Sequence, residues 1–259
     1  MKHYLDFQGM AVLAHRGGAL EANENTLESF QYAHSIGCDY IETDVQITSD
    51  GIPYIFHDED LSRIVGEKKL FNELSSLEID DLVIFSDHKI PTLRSVLESL
   101  PTTLFQIDVK TDDVALPALK VIEECNALSR VCIASFSSKR LEVVRNLYPD
   151  ICISMGPKEI IKTLLASFGL YSKSIHGQCL QVPIYQYGIK IVTKRFINYV
   201  QNKGLKIIVW TINDIQTMDK LISMGVDGII TDKPLELCLL YTSDAADEGL
   251  GVDLGGRRI

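Results

Sequence analysis

Between Tyr40 and Asp58 the chain reads YIETDVQITSDGIPYIFHD. Glu42 and Asp44 stand two residues apart in a run of strand-forming residues, so their carboxylates leave one face and can share a ligand. Asp50-Gly51 favours a two-residue hairpin turn, because both positions tolerate positive φ. That turn sets Ser49 opposite Ile52 and, counting back, Asp44 opposite His57, with Cβ atoms roughly 5.5 Å apart. Asp108 and Lys110 repeat the same-face spacing further on, and His15-Arg16 closes a short apolar run. The carboxylates of Glu42, Asp44 and Asp108, with no soft donor beside them, suit one hard divalent cation, Mg²⁺ or Ca²⁺. Zinc suits them less, because no Cys belongs to the set and His15 and His57 are wanted for proton transfer. Such an ion with Arg16 and Lys110 makes a place for a phosphate and for the charge that grows on it in a transition state. His15 and His57 would take a proton from a nucleophile and give one to a leaving alcohol, the chemistry of phosphodiester cleavage. Plainer readings exist: strands often carry acids on a solvent face, and a His after a strand is commonly a surface or capping residue. The rest of the chain must decide.

The elements that would position these side chains follow a regular order. Ala11 to Ala14 reads as a buried parallel strand, Asn25-Thr26-Leu27-Glu28 opens a helix that Gly37 ends, and the stretch from Tyr40 is the next strand. Residues 59–91 are charged and irregular and read as an excursion packed on the mouth of the fold. From Pro91 the alternation resumes, with strands expected at 104–109, 131–134, 151–154, 179–182, 206–210 and 228–230 and helices or long crossovers between them. About eight parallel strands, nearly all followed by a helix, predict an α/β (β/α)8 TIM barrel rather than an open sheet. Chemistry in such barrels gathers at the C-terminal ends of the strands. That rule selects His15, Arg16, Glu42, Asp44, Asp108, Lys110, Trp210 and Asp232, although Asp227 and Asp232 also read as residues that shape the loops around the last strand. Glu24 reads either as a helix cap or as a metal or substrate contact, and Trp210 either as a core aromatic or as part of the pocket. His3, His34, His88 and His176 lie away from the predicted mouth.

Size and composition agree with this. A chain of 259 residues with 46% hydrophobic content can close one barrel around a sizeable core. A net charge of −10 argues against a nucleic-acid or anionic-membrane surface, both of which want a basic face. Cys38, Cys125, Cys132, Cys152, Cys179 and Cys238 show no CxxC or CxxH spacing and read as buried thiols of a reducing compartment. The N-terminus lacks an apolar signal core and no window approaches a membrane span, so the expected location is the cytoplasm. Residues 238–259, CLLYTSDAADEGLGVDLGGRRI, lack periodicity and resemble a translated sequencing adapter. The expected native unit is therefore 1–237, with the barrel's C-terminal helix truncated.

The series His15-Arg16-Gly17, Glu24-Asn25-Thr26-Leu27, Glu42-Thr43-Asp44-Val45 and Phe56-His57-Asp58 resembles the motifs of the glycerophosphodiester phosphodiesterase family. Asp108-Val109-Lys110, Val209-Trp210-Thr211-Ile212-Asn213 and the run from Gly225 to Pro234 agree in order, so the resemblance spans residues 11 to about 237. It implies a metal-dependent barrel that hydrolyses glycerophosphodiesters to glycerol 3-phosphate and an alcohol. The resemblance makes His15 and His57 the acid/base pair, Glu42, Asp44 and Asp108 the holders of the Mg²⁺ or Ca²⁺ ion, and Arg16 and Lys110 the phosphate grip. Trp210 would line the glycerol side, and a cyclic phosphate formed by the glycerol hydroxyl would be opened by water. This chain departs from the pattern at Asn23, where Pro is usual, and at Asp108, where Glu is usual and the ligand arm would be one methylene longer. Two other readings stay open: a lysophospholipase D or sphingomyelinase D-like relative, which would want an apolar entrance that 59–91 does not advertise, and an inactive phosphate- or metal-binding module.

Overall fold

The computed structural model describes residues 3–7 and 9–242. Eleven strands are present among them: β1 Ala11–His15, β2 Tyr40–Ile47, β3 Pro53–Ile55, β4 Leu104–Val109, β5 Val131–Ala134, β6 Cys152–Ile153, β7 Cys179–Val182, β8 Tyr185–Gln186, β9 Ile189–Lys190, β10 Lys206–Val209 and β11 Gly228–Thr231. Eight of them pair in parallel in the order β6-β5-β4-β2-β1-β11-β10-β7. The ring is joined between β6 and β7 by a parallel bridge of Ser154 and Cys179, where Met155 N donates to Cys179 O at 2.8 Å. The chain is thus a (β/α)8 barrel. Its strands are short and buried on both faces, as in a sheet whose outer side is covered by helices.

Capping fixes where the helices start. Thr26, Thr92, Ser137, Thr193 and Asp214 each accept a backbone N–H in the first turn of the helix that follows. One apolar cluster packs helices against the β1–β6 half, a second packs them against the β7–β11 half, and a third, with Tyr4, Leu13, Tyr40 and Leu104, fills the barrel floor. The excursion after β3 carries its own small core of Tyr54, Phe56, Leu61, Phe71 and Ile79, which lets a polar, irregular segment hold one shape. The expected truncated last helix covers 234–242 within the described residues. Its Leu237 is buried, and the Tyr241 hydroxyl accepts the Met10 N–H at 3.0 Å. The rest of the segment read as adapter, 243–259, lies outside the described residues.

Two details differ from the sequence reading. The hairpin loop has three residues, not two: Thr48 N donates to Ile52 O, Gly51 takes φ +85°, and the register runs Ile47–Pro53, Gln46–Tyr54 and Val45–Ile55. Thr48 Oγ1 accepts from Ile52 N and stabilises the wider loop, while Ser76 draws Asp50 away toward the excursion. The slip of one residue puts Phe56, not His57, beside Asp44, with Phe56 N donating to Asp44 O at 3.1 Å. The long crossover after β7, for which no strand is expected from sequence, carries the small β8–β9 hairpin at the mouth.

Candidate active site

β1, β2 and β4 are neighbours in the ring, and their register explains why the selected side chains meet. His15 is the register partner of Glu42, and Asp44 of Asp108. In-register residues of parallel strands present their side chains to the same face. Glu42, Asp44 and Asp108 are all buried, an arrangement that self-repulsion opposes unless cations sit among them. Lys110 supplies one: its Nζ lies 2.7 Å from Asp44 Oδ1 and 2.7 Å from Asp108 Oδ2. Arg16 supplies another, with Nε 3.4 Å from Asp44 Oδ2 and Nη1 3.0 Å from Glu24 Oε1. Arg16 holds this place with φ +52°, and Gly17 follows at φ +84°, where a Cβ would come within 2.4 Å of Ser29 Oγ. A left-handed turn against α1 (Leu27–Ser35) is therefore what aims the guanidinium inward.

The electrostatics are uneven. Burial, then the nearness of Asp44, raises the Glu42 carboxyl to about 7. Burial raises Asp108 as well, against the pull of Lys110. Burial would also raise Asp44, yet Lys110 and Arg16 outweigh it and hold that carboxyl below its ordinary value. Glu42 Oε2, Asp108 Oδ1 and Arg16 Nε are buried without a hydrogen-bond partner. Unsatisfied carboxylate oxygens at a barrel mouth are the donors a hard cation takes, so the residues present fit a divalent ion. The raised Glu42 gives a pH signature. Its pKa is about 7 folded against 4.5 for the free side chain. A raised acid stabilises the fold below the unfolded value, and that contribution is lost as pH rises through the folded one. Chelator-treated protein is expected to lose about 3 kcal/mol of unfolding free energy between pH 5 and 8, measured by urea denaturation, and Glu42→Gln to flatten that slope.

Both imidazoles are fixed by carboxylates. His15 Nδ1 is 2.5 Å from Asp232 Oδ1, and its Nε2 is 3.7 Å from Glu42 Oε2. Burial lowers the affinity of His15 for a proton, but Glu42 and Asp232 outweigh it and raise the pKa. His57 Nδ1 is 2.6 Å from Asp58 Oδ1. An ionised carboxylate only accepts, so Nδ1 donates in both rings and Nε2 is the nitrogen not engaged by that carboxylate. His57 reaches the mouth from the loop past β3, where Gln46 Nε2 donates to the carbonyls of His57 and Asp58. With Gln46, Asp58, Glu59, Asp60 and Lys110 it lines a cleft of about 380 Å³. Trp210 follows β10 and meets exposed Phe136 edge to face at 6.0 Å.

Several residues of the site escaped sequence reasoning. Asp232, selected at the mouth but read mainly as loop-shaping and given no partner, holds His15 and receives the Asn213 amide at 2.7 Å. Asn25, read as a helix start, is buried with φ +55° and donates to Asp44 Oδ2 at 3.3 Å while accepting from Thr43. Glu24 is not the cap, a role Thr26 takes; it binds Arg16 and, at 2.6 and 2.9 Å, Arg63. Arg63 also donates to Asp58 Oδ2 at 2.6 Å. It thus ties the carboxylate behind His57 to the one behind Arg16. Arg63→Ala is expected to cost no more than about 1 kcal/mol of stability, because the group is half-exposed, yet to lower kcat/KM by about 10-fold or more as His57 and Arg16 lose their orientation. Denaturation and steady-state kinetics on one preparation would separate the two effects.

A barrel mouth that pairs buried, partly unsatisfied carboxylates with Arg and Lys and offers two oriented imidazoles has the groups that binding and cleavage of a phosphate ester would need. Comparison with known proteins agrees. The profile of the glycerophosphoryl diester phosphodiesterase family matches residues 15–236. A probable glycerophosphodiester phosphodiesterase 2 of Mycobacterium tuberculosis is 32% identical over 238 residues, covering 89% of this chain and 90% of the relative. A human lysophospholipase D is 26% identical, over 87% of this chain and 84% of the relative. An Oleispira antarctica phosphodiesterase solved with its product sn-glycerol-3-phosphate superposes with a TM-score of 0.75 at 22% identity, covering 90% of this chain and 96% of that one. The chain belongs to the glycerophosphoryl diester phosphodiesterase family.

Proposed function

We propose that this chain hydrolyses glycerophosphodiesters to glycerol 3-phosphate and an alcohol, with His15 as general acid and His57 as general base. The observation that carries the assignment is the asymmetry of two similarly anchored rings. Each is bound through Nδ1 to its own carboxylate, but His15 also faces Glu42, which with Asp232 raises its pKa and so keeps a proton on the ring for delivery to the leaving group. His57 Nε2 takes the proton of the attacking hydroxyl, and His15 Nε2 delivers one to the departing alkoxide. When the attacker is the substrate's own glycerol hydroxyl, a cyclic phosphate forms and water opens it with the roles reversed. Arg16 and Lys110 bind the phosphoryl oxygens, and Trp210 with Phe136 borders the glycerol.

Glu42, Asp44 and Asp108 would hold one divalent cation, Mg²⁺ or Ca²⁺, for which the unpartnered Glu42 and Asp108 oxygens argue. Such an ion supplies polarisation of a phosphoryl oxygen and offsets the charge that gathers there. Action in the cytoplasm is supported by six free thiols, and no helix among the described residues is long and apolar enough to cross a membrane. The native barrel is proposed to span 1–237, with 238–259 taking no part in the chemistry.

A second reading, lysophospholipase D activity, has an observation in its favour. Leu20, Phe136, Tyr185, Tyr187 and Ile189, all on loops or hairpin strands that follow barrel strands, are exposed at the mouth. Together they would form an apolar entrance on this side of the mouth; the excursion exposes Leu70, Leu77 and Val83 as well. Phosphorus NMR of reactions with glycerophosphocholine and with lysophosphatidylcholine tests both. Glycerol 3-phosphate from the first substrate supports the main reading, faster turnover of the second favours the alternative, and phosphocholine as product would show that the wrong P–O bond had been assigned.

A further inference from the structure

Cys132 on β5, Cys152 on β6 and Cys179 on β7 come from three adjacent strands and converge inside the barrel, far along the register row from the mouth. That row runs His15, Glu42, Gln106, Cys132, Cys152, and strand tilt carries it from the mouth down to the floor. All three thiols are 2% exposed or less. Their Sγ atoms lie within 4.8 Å of one another, and those of Cys132 and Cys179 are 3.7 Å apart. One buried Cys is an ordinary small apolar side chain. Three with their sulfurs on one point also match a three-coordinate thiolate site, since bonds of about 2.3 Å place trigonal sulfurs about 4 Å apart.

Charge decides which ion fits. The floor around the sulfurs is built from Tyr4, Leu13, Tyr40, Leu104, Ile208 and Ile230. Among the described residues no Lys, Arg or His acts on the three thiols; the polar side chains beside them are the Ser154 hydroxyl, which hydrogen-bonds Cys179, and the neutral phenols of Tyr4 and Tyr40. Three thiolates around a monovalent ion would leave two negative charges there, and around a divalent ion one, since the neighbouring Ser154 and Tyr4 hydroxyls bring no His or fourth thiolate of the kind that completes zinc. Uncompensated charge in such surroundings is strongly disfavoured. A trivalent ion leaves none.

We propose that Cys132, Cys152 and Cys179 form a buried three-thiol site for a trivalent thiophilic ion of the arsenite or antimonite type. With arsenous acid, three As–O bonds break, three As–S bonds form, and each thiol proton leaves with a hydroxide as water; three waters depart and no atom changes oxidation state. Entry does not require the barrel to open. The cover is Tyr4, in a segment outside the sheet held by Tyr4 N donating to Ser129 O, by the Tyr40 hydroxyl donating to Tyr4 O and by a long contact to Gln106. Such a segment can lift by local opening.

The test uses full-length reduced protein carrying Cys38→Ala, Cys125→Ser and Cys238→Ser, so that the three floor thiols alone remain, with sodium arsenite as probe. Intact mass should show one arsenic gained and three protons lost per chain, and Tm should rise, because a ligand of the folded state stabilises it. Adding Cys152→Ala should weaken binding by roughly 100-fold, as the third bond is lost. No adduct, either on native protein or after refolding in arsenite, would overturn the proposal, and so would undiminished binding by the Cys152→Ala protein. Should the substituted chain not fold, the sign of the Tm shift in unsubstituted protein decides: a fall means that arsenite captures only unfolded thiols.

Discussion

Replacing His57 with alanine is expected to lower kcat by about 10²–10⁴, equivalent to roughly 3–5.5 kcal/mol of barrier, with little change in stability. The separation follows from where the ring sits. Its side chain is 33% exposed and hydrogen-bonds Asp58, which keeps Arg63 as a partner when the imidazole goes. Removing it leaves no buried group unpaired, so the cost to folding should stay within about 1 kcal/mol. A general base cannot be replaced so cheaply, because water in its place is neither oriented nor basic enough. Thermal denaturation and single-turnover kinetics would read both quantities. A rate within a few-fold of the parent would mean that His57, reached by a loop and not by strand register, is outside the chemistry.

Lys110→Met should show the opposite pattern, a large loss in both stability and rate. Asp44 and Asp108 are buried, and Lys110 Nζ bridges them at 2.7 Å each. Both carboxylates raise the pKa of Lys110 against the effect of its own burial, so it is firmly cationic. Taking away one partner of a buried ion pair costs about 3–5 kcal/mol, because the remaining charge stays desolvated. Chelator-treated Lys110→Met protein should therefore unfold at much lower urea concentration, and Mg²⁺ or Ca²⁺ should restore part of that loss. Turnover should remain depressed by about 10²-fold or more with the ion present, since a cation aimed at the phosphate is missing. Full recovery of rate by the ion would show that Lys110 serves only to neutralise the acids.

What could be read from sequence and what could not divide along a physical line. Glu42 with Asp44, and Asp108 with Lys110, were legible because a strand's period of two ties spacing to a face, and the barrel was legible from the repeated strand and helix pattern. The position of His57 was not, since the three-residue loop is held by Ile52 N donating to Thr48 Oγ1 and by Ser76 binding Asp50, contacts that Asp50-Gly51 does not reveal. The carboxylates behind the imidazoles divide in the same way: Asp58 adjoins His57, whereas Asp232 stands 217 residues from His15, and no local pattern joins them. Arg63 lay in a segment whose polar, irregular sequence hides the small core of Tyr54, Phe56 and Phe71 that fixes it over Glu24. The thiols of Cys132, Cys152 and Cys179 looked unrelated because only barrel closure brings their strands together.

The central claim is that a divalent cation, held by Glu42, Asp44 and Asp108, serves a phosphodiesterase run by His15 and His57. Its most direct measurement is glycerol 3-phosphate release from glycerophosphocholine by protein stripped with chelator and then titrated with Mg²⁺ or Ca²⁺. The expected result is negligible release after stripping and saturable recovery with one of the two ions, absent in the Glu42→Gln protein. Undiminished release by fully stripped protein, or none by folded protein with any divalent ion, would contradict the account.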